Sequence, residues 1–153
     1  MPRALSIAIL APGELFGGVE RQILDLNACA SERDGLAYTT CLFHDHTLAA
    51  ALRRDGVTPE ILLGRGRYDV AAATSLARDL SRRSFAVVHA HGYRGLVSLA
   101  AAHRLGVGSP PVVKTEHGLP ELGRGLSFSA AKTMANHRLD LWATHRLDAV
   151  VCY

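Results

Sequence analysis

No apolar run in this 153-residue chain approaches the length needed to cross a membrane. The N-terminus carries no signal-peptide pattern either: the run Ala4–Ala11 is short and leads into a glycine turn. Cysteine is scarce and unpaired. Cys29, Cys41 and Cys152 form no CxxC pair, and an odd number argues against a disulfide framework. Cys41 and Cys152 lie in apolar strand-like runs and are expected as buried free thiols. The net charge is +3, but Lys and Arg are scattered, with no basic stripe interleaved with aromatics. That argues against a nucleic-acid partner and leaves an anionic substrate, a membrane surface or a partner domain as reasons for the excess. The first turn lacks GxGxxG, and the second strand ends in Phe43-His44-Asp45 instead of a clean ribose-binding acid. Both features argue against a dinucleotide-dependent oxidoreductase. No internal repeat, low-complexity tract or flexible linker is visible. These absences leave one domain, cytoplasmic by default, with the 48% apolar and 20% charged composition of an ordinary globular chain.

What the chain does have is alternation. Apolar runs of strand length are separated by segments of helical period. Strands are expected at Ser6–Ala11, Ala37–Phe43, Glu60–Leu63, Phe85–His89, Val112–Thr115 and Leu147–Cys152. Helices are expected at Val19–Ala30, Leu48–Arg54, Val70–Arg82, Leu96–Leu105 and Ser127–His145. Asp45 or Thr47 is the expected N-cap of the second helix, and Asp69 that of the third. Asp55-Gly56 should stop the second. The third should bury Ala73, Leu76, Ala77 and Leu80; the last should bury Phe128, Ala131, Ala135, Leu139 and Trp142. The fold class is therefore α/β: a Rossmann-like open parallel sheet with helices on both faces. The chain ends at Tyr153 on a strand tip, where such a domain ordinarily continues, so a further domain is expected beyond it.

Three strand ends carry candidate chemistry. After the first, Gly17-Gly18-Val19-Glu20 opens a helix. Glycines there allow close approach, and the free N–H groups at a helix start favour an anion. The plainer reading is a tight turn with no ligand. Glu20 suits the helix dipole without any function, yet it lowers the positive potential and could itself bind a ligand's hydroxyls. Arg21 could meet an anion or stand solvated on the helix surface. After the fourth strand comes His89-Ala90-His91-Gly92. The two histidines are expected to point to opposite faces, a poor arrangement for chelating one metal, so no metal is assigned. His44-Asp45-His46 is read as a polar loop. After the fifth strand comes Lys114-Thr115-Glu116-His117-Gly118, with Lys114 expected to reach solvent at the strand end. His117 could donate a hydrogen bond to a ligand hydroxyl or to developing oxyanion charge; Glu116 could orient it, act as a base, or be solvated. Arg65 and Arg67 could meet a phosphorylated ligand or lie in a solvated loop, and Leu119, Leu122, Leu126 and Phe128 could form a hydrophobic lip but read rather as packing.

With these motifs in place, Gly17-Gly18-Val19-Glu20-Arg21, Val87-Val88-His89-Ala90-His91-Gly92 and Val113-Lys114-Thr115-Glu116-His117-Gly118, in this order and spacing, the chain resembles the N-terminal domain of retaining glycosyltransferases of the GT-B fold, the family 4 group. The resemblance implies that residues 1–153 are the acceptor-side domain and that a C-terminal domain, absent here, grips most of the nucleotide-sugar donor. It implies transfer of a sugar to a glycan, lipid or small-molecule acceptor, independent of metal or other cofactor. By the same resemblance His117 contacts the transferred sugar, Gly17 and Gly18 lie near the donor diphosphate and the acceptor, and His91 and Gly92 form part of the acceptor wall. Glu20, Arg21 and Glu116 complete the candidate substrate-binding set. The fragment alone is expected to bind donor weakly. It leaves room for peripheral contact with the inner face of a membrane. The rival expectation is a non-catalytic Rossmann-like module for a phosphate-bearing ligand or a protein partner.

Overall fold

Runs of β-branched and other apolar residues make good strands where both faces are to be covered. A computed structural model of the chain describes residues 4–14, 17–32, 35–62, 70–92, 97–101, 106–116 and 128–152. In chain order the elements are β1 (Leu5–Ala11), α1 (Gly18–Glu32), β2 (Leu36–Leu42), α2 (Thr47–Arg54), β3 (Glu60–Ile61), α3 (Val70–Arg82), β4 (Val87–His91), α4 (97–101), β5 (Val112–Glu116), α5 (Phe128–Thr144) and β6 (Ala149–Cys152). The six strands form one sheet in the order β3-β2-β1-β4-β5-β6. Every pairing is parallel.

Side chains alternate across the sheet and divide the core in two. Ile9, Ala11 and Leu42 face α1 and α2, where they meet Ile23, Leu48 and Leu52. Ala8, Leu10, Cys41, Val88, Ala90 and Val112 face the other way, onto Leu76, Ala77 and Leu80 of α3, Leu99 and Ala100 of α4, and Ala143 of α5. The expected inward face of α3 is present: Ala73, Leu76, Ala77 and Leu80 are all buried.

Several expectations shift. β4 runs two residues later than expected and includes both histidines, because their backbones stay in the ladder: Ile9 is in register with His89, and His91 with Thr115. Residues two apart on a strand share a face, so His89 and His91 lie side by side and do not diverge; their ring centroids are 4.3 Å apart. At the start of α2 neither expected residue caps. His46 takes the N-cap position without a side-chain bond, while Asp45 makes a two-bond pair with Arg53 at 2.7 and 3.1 Å. Asp69, expected as the cap of α3, lies outside the described residues. The last helix is turned differently from its apolar pattern. Ala131 and Ala135 are exposed, Leu139 and Trp142 half-buried, and Ala143 fully buried. The reason is polar: Asp140 and Thr144 face the sheet, where a lysine needs them.

Candidate functional site

In an all-parallel sheet the strand C-termini share one edge, and the chain reverses its direction of travel across the sheet beside β1. β1 lies between β2, to which α1 leads, and β4, reached only after α3. In open α/β sheets loops diverge at such a point, and the space between them is the usual ligand position. The Gly17-Gly18 turn stands there, at the start of α1.

Both glycines are exposed. A Cβ on Gly18 would meet nothing within 4 Å, and one on Gly17 only the Glu20 carboxylate at 3.6 Å. Packing among the described residues therefore does not require glycine at either position. Glu20 folds back and accepts the Gly17 N–H at 2.9 Å, a carboxylate bond to an orphan donor at the helix start. Arg21 points along the helix surface, pairing with Asp25 at 3.3 Å, and both side chains are well exposed.

The neighbouring tips are fastened to one another. Beyond β1, Glu14 meets His44 beyond β2, Oε1 to Nε2 at 2.6 Å. Gly92, directly after β4, has φ +76°, and a Cβ there would come within 3.3 Å of Pro12 Cγ. Glycine is required at that position both by the left-handed backbone and by the close approach of the β1 and β4 tips. The His44–Glu14 contact was not visible in the sequence, where His44 reads as part of a polar loop. Nothing in local spacing pairs it with a residue thirty positions earlier.

Beneath the rim, His89 Nε2 lies 2.6 Å from Thr115 Oγ1. His91 is buried, with 1% of its surface exposed. Of the two residues expected in the acceptor wall, Gly92 is half-buried and the His91 ring is enclosed. At the end of β5, Glu116 is 37% exposed and meets Lys114 Nζ at 2.5 Å. Lys114 does not reach solvent: its side chain is 3% exposed and also holds Asp140 Oδ2 at 2.7 Å and Thr144 Oγ1 at 3.3 Å. Burial alone would depress the ammonium's pKa, but the bonds and charges of Asp140 and Glu116 outweigh it and raise the pKa above the ordinary lysine value. The sequence did carry a signal for this arrangement. Thr133, Asn136, Asp140 and Thr144 recur at helical spacing on α5, and Asp140 and Thr144 of that series meet the lysine.

His117 follows Glu116 in the chain and lies outside the described residues, as do Arg65, Arg67 and the segment 118–127. Cys41 is buried, as expected. Burial, reinforced by the charge of Glu60 and opposed by Arg83, pushes its thiol up to about 12. Cys29 is exposed. Among the described residues, no group of three or more His, Cys, Asp or Glu could hold a metal ion, and no helix is long and apolar enough to cross a membrane.

Comparison with known proteins bears on this edge of the sheet. The profile of Glycosyltransferase Family 4 matches residues 16–153, which takes in all three strand-end motifs. No curated protein matches the chain. Among solved structures, it is similar to a glycosyltransferase from Rickettsia africae ESF-5, with a TM-score of 0.59 and 15% identity over 97% of this chain. The chain spans 42% of that structure's length. A likeness at that identity is one of fold.

Proposed function

Because the chain belongs to glycosyltransferase family 4, we propose that it forms the N-terminal, acceptor-side domain of a GT-B enzyme that moves a sugar from a nucleotide-sugar donor to a glycan, lipid or small-molecule acceptor with retention of configuration. A second domain supplies most of the donor's nucleotide grip. The observation that carries this reading is the open glycine turn. Two glycines stand at the switch point with open space around them among the described residues, which supports the close approach of a ligand to the backbone there.

In this reading the domain works by placement. It holds the acceptor hydroxyl against the donor's anomeric carbon, while the start of α1 stabilises charge on the departing diphosphate. The turn passes close to the donor phosphates and the acceptor, Gly92 forms the acceptor wall beside it, and Glu116 accepts from a sugar hydroxyl. His117 touches the transferred sugar. Glu20 has two roles open to it: it leaves Gly17 to a donor phosphate, or stays and binds a hydroxyl. The fact that Glu20 already satisfies Gly17 is the one observation favouring the rival reading, a binding module without catalysis, because the chain's own carboxylate fills the anion position.

The test uses the full-length protein and a panel of radiolabelled nucleotide sugars, with transfer and donor hydrolysis both measured. Turnover of at least one donor is expected. Gly18→Val should cut it about a hundredfold by displacing the reacting groups, with little change in melting temperature since nothing crowds the new side chain. No turnover of any donor, or a Gly18→Val variant as active as the parent, would refute the proposal; tight donor binding without turnover would establish the rival.

A further inference from the structure

Lysine is a costly residue inside a parallel sheet. Replacing a buried ion pair by apolar residues of similar volume is commonly neutral or stabilising, so stability alone does not account for Lys114. Its Nζ has three protons and three acceptors: Asp140 Oδ2, Thr144 Oγ1 and Glu116 Oε2. Two of these acceptors belong to α5, and Thr144 is itself tied to the Asp140 carbonyl at 2.8 Å. The third belongs to the last residue of β5, whose carboxylate is part-exposed at the rim. The cluster therefore links a fixed helix to a surface acid. It keeps that link at a further cost, since Asp140 Oδ1 is buried with no hydrogen-bond partner among the described residues.

We propose that Lys114, anchored by Asp140 and Thr144, is a positioning residue that holds the Glu116 carboxylate in a single orientation at the rim, ready to accept a hydrogen bond from a sugar hydroxyl. The inference rests on the glycosyltransferase reading for its ligand, but its geometry is independent of that reading. An unrestrained glutamate at a strand tip samples many rotamers and loses entropy on binding; one already fixed by a buried ammonium loses less. Lys114 touches no substrate. It acts through Glu116 alone.

A double-mutant cycle in the full-length enzyme separates this role from a merely structural one. Lys114→Met should lower kcat/KM about tenfold under conditions where the variant is folded. The same change made in an Glu116→Gln background should lower it no further. Asp140→Asn, which loosens the anchor without removing the ammonium, should give a smaller loss that also vanishes in that background, and it serves if Lys114→Met does not fold. Equal losses on both backgrounds would overturn the proposal, as would a folded Lys114→Met enzyme with parental kcat/KM. If the parent transfers no sugar, the glycosyltransferase reading falls and the positioning role is decided by amide hydrogen exchange. Exchange at Thr115 and Glu116 should then speed up about tenfold in both lysine-cluster variants while Val88–Ala90 stay unchanged. Unchanged exchange at the tip would overturn it.

Discussion

At the scale of single residues, α2 and α3 both end in the left-handed region, one with glycine and one without. After α2, Val57 N–H bonds to Leu52 O and Gly56 N–H to Arg53 O, with Gly56 at φ +80°. This is the double bond of a Schellman end, and it needs a residue tolerant of positive φ. After α3, Ser84 occupies the corresponding position at φ 53°. The two sites predict opposite responses. Gly56→Ala should cost about 1 kcal/mol, all of it from the backbone because its Cβ would meet nothing within 4 Å. Ser84→Gly should gain up to about 1 kcal/mol. Urea denaturation of both variants checks the pair.

Cys41 provides a second test at this scale. Its thiol stays protonated in the folded chain up to about 12, against 9.0 when unfolded. Between those values the folded state binds more protons, so this contribution is present below pH 9 and is lost as pH rises toward 12. Stability should fall by about 1 kcal/mol more between pH 8 and 10 in the parent than in Cys41→Ala. Iodoacetamide at pH 8 should label Cys29 in the native protein and reach Cys41 only after unfolding.

At the scale of elements, α5 is the informative one. Asp140 and Thr144 face inward onto Lys114 beside the buried Ala143, while Met134 is 51% and Leu141 45% exposed. An apolar residue half in water contributes little to folding, whereas a buried cation stripped of its counter-charge is expensive. Met134→Gln and Leu141→Gln should each change stability by less than about 0.5 kcal/mol. Asp140→Leu should cost on the order of 3 kcal/mol, because the lysine would remain buried with its main anchor gone. Lys114's raised pKa adds a pH signature. Its stabilising contribution is complete below the ordinary 10.5 and fades as pH rises past that value toward the folded-state pKa, so Asp140→Leu should flatten the alkaline limb of the stability curve.

At the scale of the whole molecule, the α/β alternation and five of the six strand positions were legible because they rest on local periodicity, which a sequence displays. α3 matched to the residue for that reason. What was not legible depends on partners distant in sequence. The ladder kept His89 and His91 inside β4, and Asp140, 26 residues further on, buried Lys114. The candidate rim was half legible: the glycine turn and the strand tips share an edge, but the fastening of Glu14 to His44, and of Pro12 to Gly92, arises only when the sheet closes. That fastening is testable. Gly92→Ala combines strain at φ +76° with a contact 3.3 Å from Pro12, and should cost about 1–2 kcal/mol in thermal or urea unfolding.

The strand order also bears on how the protein is made. Of the six strands β1 is made before the others, yet it occupies the middle of the finished sheet, and its Ile7 must wait for Val87 before its second edge is filled. At about 5–20 residues per second that delay is on the order of ten seconds. Until then the edge of β1 that will meet Val87–Ala90, with Ala8–Ala11 buried only in the finished sheet, is an unpaired apolar strand edge of the kind that invites pairing with another chain.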